Sequence, residues 1–230
     1  MTSSGPILLN PGEARGQTKI LQLYPHVELF SEGEPPANSL FILGRASPTG
    51  DPSGQDQLLI VDPPLDIASR FRLDGPAAIL FTGEPLPVGL PLLQTQPGGA
   101  AHIRVGEHFI DIHTQRRRAV VHLPALGLLC SGDLGSDQIL PSLAEGSDGD
   151  EELQTLRLLA RLLKQRRLQL MIPRLGNPTR ERETALMRLA GDVAYLHGLR
   201  RVIPPLAAQG DPLAQVLRVA ATLVPPERHT

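Results

Sequence analysis

The hydrophobic and polar positions divide the chain into a strand-rich part and a later helix-rich part. Short apolar runs bounded by Gly, Pro, Ser and Asp recur between Ile20 and Cys130, as is typical of β-strands. The runs at 40–44 and 58–61 predict one hairpin, and those at 101–105 and 108–113 predict another around Gly106. Apolar runs on both sides of Pro25 indicate an edge strand or a bulge. Two more strands are expected at 119–123 and 126–130.

Helical spacing dominates after the acidic spacer at 145–152. Leucines recur at intervals of three to five residues from Leu153 to Leu168, which predicts a helix followed by a short strand at 170–172. Further helices are expected from about 177–179 to Leu199, and from Asp211, a good N-cap, to Val224. Shorter helices are predicted at 65–75 and at 90–94. This order of elements favours an α/β sandwich of two sheets with helices packed outside.

Composition restricts the class of protein further. The 230 residues carry 41% hydrophobic side chains and a net charge of −2, so a globular fold is expected and nucleic acid is disfavoured as a partner. The one cysteine, Cys130, excludes an internal disulfide and any multi-cysteine zinc site. The N-terminus is not typical of a signal peptide, and no apolar run is long enough to span a membrane. We therefore expect a cytoplasmic protein with no membrane partner, formed by a flexible arm at 1–18 and a single domain at 19–230.

The stretch from 76 to 93 has the form of an active-site loop. An apolar run at 77–81 leads into Thr82-Gly83-Glu84-Pro85, and a buried strand that ends in a Gly/Pro loop commonly positions functional residues in α/β proteins. Between Thr82 and Gly89, however, the only ionisable side chain is Glu84. Glu84 could act as a base, but no partner for it is visible in the sequence.

Five segments, in this order and spacing, resemble landmarks of the metallo-β-lactamase superfamily. They are Asn38-Ser-Leu-Phe-Ile, Leu58-Leu-Ile-Val-Asp62, Ile79-Leu-Phe-Thr82 with the later Gly89-Leu-Pro, Leu128-Leu-Cys-Ser-Gly-Asp133, and Met171-Ile-Pro173 followed by a glycine. The resemblance covers about Leu40 to Leu199. It implies a four-layer αβ/βα sandwich, metallo-β-lactamase-like, and in typical members two metal ions, usually zinc, that activate a water molecule.

The ligands that this resemblance implies are mostly missing. Where the family has Thr-His-x-His-x-Asp-His, this chain has no histidine, and Arg174-Leu175-Gly176 stands where the family has Gly-His-Gly. Only Asp133 matches a ligand cleanly; His113 is a second vestigial candidate. If His113-Thr114 matches the family's His-Thr, then Arg116 or Arg117 replaces the next ligand. Because a catalytic zinc ion usually needs about three protein ligands, we expect no intact metal site and no cofactor.

The remaining candidates have more than one interpretation. Asp133 could bind metal or cap backbone N–H groups of its turn. His113 and Asp111 share one face of a predicted strand, and could be an acid–base pair or ordinary strand residues. Thr82, Glu84, Asp111, Arg116 and Arg117 are the candidates for lining the former pocket. The arginine run could also be a solvated surface.

Three functional hypotheses follow. The first is a non-catalytic pseudo-enzyme with a binding or scaffolding role, whose partner is an unknown protein, a small anionic ligand or a second copy of the chain in a homodimer. The second is a divergent metal-dependent hydrolase of an ester or thioester, with a site rebuilt from Asp133, His113, Asp111 and His122. The third is an anion or nucleic-acid binder that uses the Arg116–Arg118 cluster.

Overall fold

Two five-stranded sheets form the centre of the molecule. The computed structural model describes residues 7–8, 18–45, 56–72, 77–83, 91–93, 98–115, 118–143, 146–225 and 228. In chain order the elements are β1 (Ile7–Leu8), β2 (Lys19–Tyr24), β3 (Val27–Glu32), β4 (Ala37–Gly44), β5 (Gln57–Val61), α1 (Ile67–Arg70), β6 (Phe71–Arg72), β7 (Ala77–Leu80), β8 (Ala100–Val105), β9 (His108–Thr114), β10 (Ala119–Leu123), β11 (Leu128–Gly132), α2 (Asp150–Gln165), β12 (Leu170–Pro173), α3 (Arg182–Ala208) and α4 (Leu213–Ala221).

Both sheets are antiparallel except for one parallel pair each. The first sheet has the order β2-β3-β4-β5-β7, and β5 pairs parallel with β7. The second has the order β12-β11-β10-β9-β8, and β11 pairs parallel with β12. The predicted hairpins β4–β5 and β8–β9 are confirmed, and β2 is an edge strand with an irregular register near Tyr24.

Three apolar clusters fill the spaces between the layers. One lies between the two sheets and includes Leu29, Ile42, Ile112 and Cys130. The second packs α2 and α3 on the second sheet, and the third packs α1 and Phe71 on the outer face of the first sheet. The chain is therefore an α/β sandwich with helical residues outside both sheets. Every residue of β10 and β11 is buried because both faces of these strands are covered.

The ends of several elements differ from the sequence-based prediction. The helix predicted at 90–94 is wrong for residues 91–93, where Leu92 forms a parallel bridge with Ile79; residues 90 and 94 lie outside the described part of the chain. Of the described residues in the helix predicted at 65–75, only 67–70 are helical, and Phe71–Arg72 pairs with β1 instead; 73–75 lie outside the described part of the chain. In the predicted N-terminal arm, Ile7–Leu8 forms β1, and 1–6 and 9–17 lie outside the described residues.

The last two helices also have different bounds from those predicted. Helix α3 begins at Arg182 because the residues before it are extended: Thr179 and Met171 exchange two backbone hydrogen bonds of 2.9 and 2.8 Å along the edge of β12. It continues to Ala208 through Pro204 and Pro205. Helix α4 begins at Leu213, and its N-cap residue is Pro212 rather than the predicted Asp211. No helix in the described part of the chain is long and apolar enough to cross a membrane.

Candidate site at the strand ends

The candidate site lies where strands from both sheets end on the same side of the sandwich. Asp62 follows β5, Thr82 follows β7, Asp133 follows β11, and Arg174 follows β12. The two parallel pairs bring these ends together, because parallel strands that are adjacent end at the same edge of a sheet. A backbone hydrogen bond of 3.0 Å from Ala119 N–H to the Thr82 carbonyl joins the first sheet to the second.

The Asp133 carboxylate is held by two arginines and a serine. The Arg174 Nε and Nη2 atoms each lie 2.7 Å from Asp133 Oδ1. The Ser142 hydroxyl donates to Oδ2 at 3.2 Å, and Arg118 Nη1 lies 3.5 Å from the same oxygen. The Asp133 side chain is only 5% exposed. Both of its oxygens are therefore already used by protein donors.

Arg118 extends the network to helix α2. Its Nη2 and Nε lie 3.2 and 3.3 Å from Glu152 Oε1, and it also donates to the Ser142 carbonyl oxygen. Glu152 lies in the first turn of α2, where the helix dipole favours a negative charge, and it is buried. The ion pair therefore fixes the start of α2 against the strand ends.

Asp62 occupies the other end of the network. Its two oxygens accept the Thr82 N–H at 2.8 Å and the Thr82 hydroxyl at 2.6 Å, and its φ of 52° is in the left-handed region. Burial raises the pKa of Asp62 to about 6; the nearby Asp133 charge acts in the same direction, and the Thr82 hydrogen bonds and the Arg174 charge oppose it. Asp62, Arg174, Asp133, Arg118 and Glu152 thus form a series of alternating charge, which we call the arginine–carboxylate chain.

Two further features hold the loop that carries Asp133. A Cβ on Gly83 would lie 3.7 Å from Asp133 Oδ2 and 3.8 Å from Arg174 Nη1, so Gly83 covers the ion pair. On the other side, Asp192 of α3 accepts the Gly135 N–H at 2.6 Å and pairs with Arg228, and both side chains of this pair are buried. Burial raises the pKa of Asp192, whereas the Arg228 charge opposes that shift.

Of the candidates for lining the pocket, Thr82 lies at the strand ends together with Asp133. Glu84, Arg116 and Arg117 lie outside the described residues. Asp111 lies elsewhere, in the middle of β9, so it does not line a common site with Thr82 in the described structure.

Asp111 belongs to a separate group on the helix-facing side of the second sheet. Its Oδ1 lies 2.7 Å from His102 Nδ1, and its Oδ2 lies 3.7 Å from the buried His122 Nδ1, which has no hydrogen-bond partner among the described residues. Burial lowers the pKa of His113 and of His122, and the Asp111 charge opposes both shifts. The set of Asp133, His113, Asp111 and His122, suggested for a rebuilt metal site, is therefore split between two places with no described contact joining them.

The described donors at the strand ends do not fit a zinc ion. Asp133 is the residue whose place in the sequence suggested a metal ligand most clearly, and guanidinium groups lie at 2.7 and 3.5 Å from its two oxygens, where they would repel a dication. No group of three His, Cys, Asp or Glu side chains in the described ranges is arranged to hold a metal ion. The residues present fit a network of organic cations and carboxylates instead.

Sequence reasoning missed two members of this network. Glu152 was assigned to an acidic spacer, and Ser142 was not singled out. The available signal for Glu152 was its place just before the leucine pattern, where an acidic residue often lies in the first turn of a helix. Nothing in the sequence indicated Ser142.

Comparison with known proteins gives structural matches only. No protein-family model matches the chain, and no curated protein matches it by sequence. A β-lactamase domain protein from Burkholderia ambifaria is similar in structure, with a TM-score of 0.62, 15% identity, and coverage of 95% of this chain and 89% of that one. The stereoselective inverting sec-alkylsulfatase Pisa1 from Pseudomonas sp. gives a TM-score of 0.59 at 12% identity, covering 87% of this chain and 45% of that one.

These likenesses, at low identity, concern the fold alone. A fragment of a putative diflavin flavoprotein from Nostoc sp. also matches, with a TM-score of 0.53, 9% identity, and coverage of 80% of this chain and all of that one (100%). The two-sheet sandwich, the landmark segments at its strand ends and these matches together establish that the chain has the fold of the metallo-β-lactamase superfamily.

Proposed function

We propose that this protein is a non-catalytic protein with the metallo-β-lactamase fold, a pseudo-enzyme with a binding or scaffolding role. The observation that supports this most directly is the state of Asp133, whose two oxygens both contact guanidinium groups. In the family pattern this carboxylate would bind a metal ion. Here Arg174 and Arg118 supply the positive charge.

The energetics of the arginine–carboxylate chain favour this proposal. A metal ion at Asp133 would have to displace guanidinium groups from a carboxylate that is 5% exposed, and Arg118 is itself only 10% exposed. Arg118 would keep Glu152, but the partly exposed Arg174 would lose its ion pair, at a cost of the order of 1–3 kcal/mol. The chain therefore stabilises the strand ends in a form that does not need a metal.

No contact among the described residues supports the two alternative functions, a metal-dependent hydrolase and an anion or nucleic-acid binder. A divergent ester or thioester hydrolase would need a metal site, and its proposed ligands lie in two separate groups. An anion or nucleic-acid binder would use Arg116 to Arg118. Of these, Arg118 is already paired with Glu152, and the other two lie outside the described residues.

A hydrolysis assay tests the proposal. We expect no turnover of ester or thioester substrates above the background of the Asp133→Asn variant, with or without added Zn²⁺, because no group of three His, Cys, Asp or Glu side chains in the described residues could hold a metal ion that activates water. Zinc-dependent turnover that Asp133→Asn abolishes would contradict the proposal. Far-UV circular dichroism of the variant checks that it is folded.

A further inference from the structure

A groove lies on the opposite edge of the sandwich from β7 and β8, and shares no lining residue with the arginine–carboxylate chain. It has a volume of about 630 Å³ and lies between the edge strand β2 and the segment 177–180 beside β12. Its size falls within the range of about 300–1,000 Å³ that is usual for small-molecule sites.

The floor of this groove is apolar and continuous with the core between the sheets. Leu29 and Leu170 line it and are 4% and 6% exposed, and both belong to the inter-sheet cluster. Leu21, which pairs with Leu29 across β2 and β3, also lines the groove and remains 49% exposed. An apolar ligand here would therefore extend the core and cover leucine surface that now faces solvent.

The rim of the groove is cationic. Lys19 and Arg180 line it and are exposed, and no carboxylate in the described part of the chain forms an ion pair with either. No acidic side chain is among the described residues that line the groove. The charge of this site is therefore complementary to an anion.

We propose that the groove binds an amphiphilic anion, a long-chain carboxylate whose alkyl chain lies on Leu21, Leu29 and Leu170 and whose carboxylate lies between Lys19 and Arg180. A charge-assisted hydrogen bond to either cation orients the head group.

Calorimetric titration of the full chain with dodecanoate, below its micelle concentration and at low ionic strength, tests the proposal. We expect saturable binding of one equivalent, weaker binding of the uncharged 1-dodecanol, and no binding of acetate. The double variant Lys19→Ala/Arg180→Ala should raise Kd about fivefold or more, as expected for the loss of two exposed ion pairs. Arg201→Ala, which removes an exposed arginine of α3 that is not among the described residues lining the groove, is the matched control and should leave Kd unchanged.

A second variant tests the contribution of the apolar floor to binding, independently of the cationic rim. Leu21→Asp, at a half-exposed edge position, should raise Kd about tenfold or more through lost apolar contact and charge repulsion. Kd values of Lys19→Ala/Arg180→Ala and Leu21→Asp that equal the wild-type value would overturn the proposal. So would a dimer, seen by sedimentation, that Leu21→Asp dissociates, because a second copy would then cover the groove.

Discussion

At the scale of single residues, the arginines at the strand ends explain how a carboxylate can remain buried without a metal ion. The sequence resemblance suggests a metal ligand at Asp133, but the charge of this carboxylate is balanced by Arg174 and Arg118. The bonds from Arg174 are the shorter ones, and Arg118 divides its donors between Asp133, Ser142 and Glu152. These contacts support the proposal that Asp133 has a structural role.

Replacing Asp133 tests this structural role. Asp133→Ala should lower the free energy of unfolding by about 2 kcal/mol, because Arg174 loses its ion pair while Arg118 keeps its pair with Glu152. Urea denaturation at pH 7 measures the change. Asp211→Ala is the matched control, since the Asp211 side chain makes no described hydrogen bond, and it should change stability by less than about 0.5 kcal/mol. Equal effects of the two substitutions would show that the pairs with Asp133 contribute nothing.

Asp62 should give the stability of the protein a distinct pH dependence. Its pKa is raised from 3.8 to about 6 by burial, so the folded chain holds a proton that the unfolded chain releases as pH rises above about 4. The stabilisation from this proton is full below the unfolded pKa and is lost as pH rises through about 6. Relative to Asp62→Asn, wild-type stability should therefore fall by roughly 3 kcal/mol between pH 3.5 and 7.

Urea denaturation of both proteins across this pH range measures the difference, in which the titration of other groups cancels. The Asp62→Asn substitution also loses or weakens the hydrogen bond from Thr82, but this lowers the free energy of unfolding of the variant by the same amount at every pH. Two curves that run parallel from pH 3.5 to 7 would mean that the pKa of Asp62 is not raised.

At the scale of secondary-structure elements, local patterns predicted pairing well and boundaries less well. The hairpins β4–β5 and β8–β9 follow from apolar runs on either side of turn residues, which is information contained within a short segment. The delayed start of α3 depends on the pairing of Thr179 with Met171, and β6 depends on pairing with Ile7–Leu8. Such contacts join distant segments, so no local pattern could have indicated them.

The contact between the two sheets at Gly44 is one such element-scale feature. A Cβ on Gly44 would lie 2.3 Å from the Gly106 nitrogen, a backbone atom in the β8–β9 turn. Gly44→Ala should therefore lower the free energy of unfolding by about 2 kcal/mol or more, because two backbones would have to separate. Gly83→Ala is the matched control, since its Cβ would meet no atom closer than 3.7 Å. Thermal denaturation of both variants checks this, and equal melting temperatures would contradict it.

At the scale of the whole molecule, the sequence predicted the sandwich but only part of its functional site. The order of the landmark segments was sufficient for the fold, since Asp62, Thr82 and Asp133 all lie at strand ends as that order implies. The arginine–carboxylate chain was not predictable, because it joins Arg118 and Glu152 over 34 positions and Asp133 and Arg174 over 41. Asp111 was predicted to line the pocket, but it lies in the middle of β9 on one face of the sheet. Strand alternation predicts the face on which a side chain lies, but not how far the residue is from the end of the strand.

The metal content of the purified protein tests the central proposal most directly. Elemental analysis after growth with added zinc should give less than about a tenth of an equivalent of zinc per chain, because Asp133 is occupied by guanidinium groups and a zinc site needs about three ligands. The Asp133→Asn variant provides the background value for adventitious zinc. One or two tightly held equivalents in the wild type, lost in Asp133→Asn, would contradict the proposal and identify the strand ends as a working metal centre.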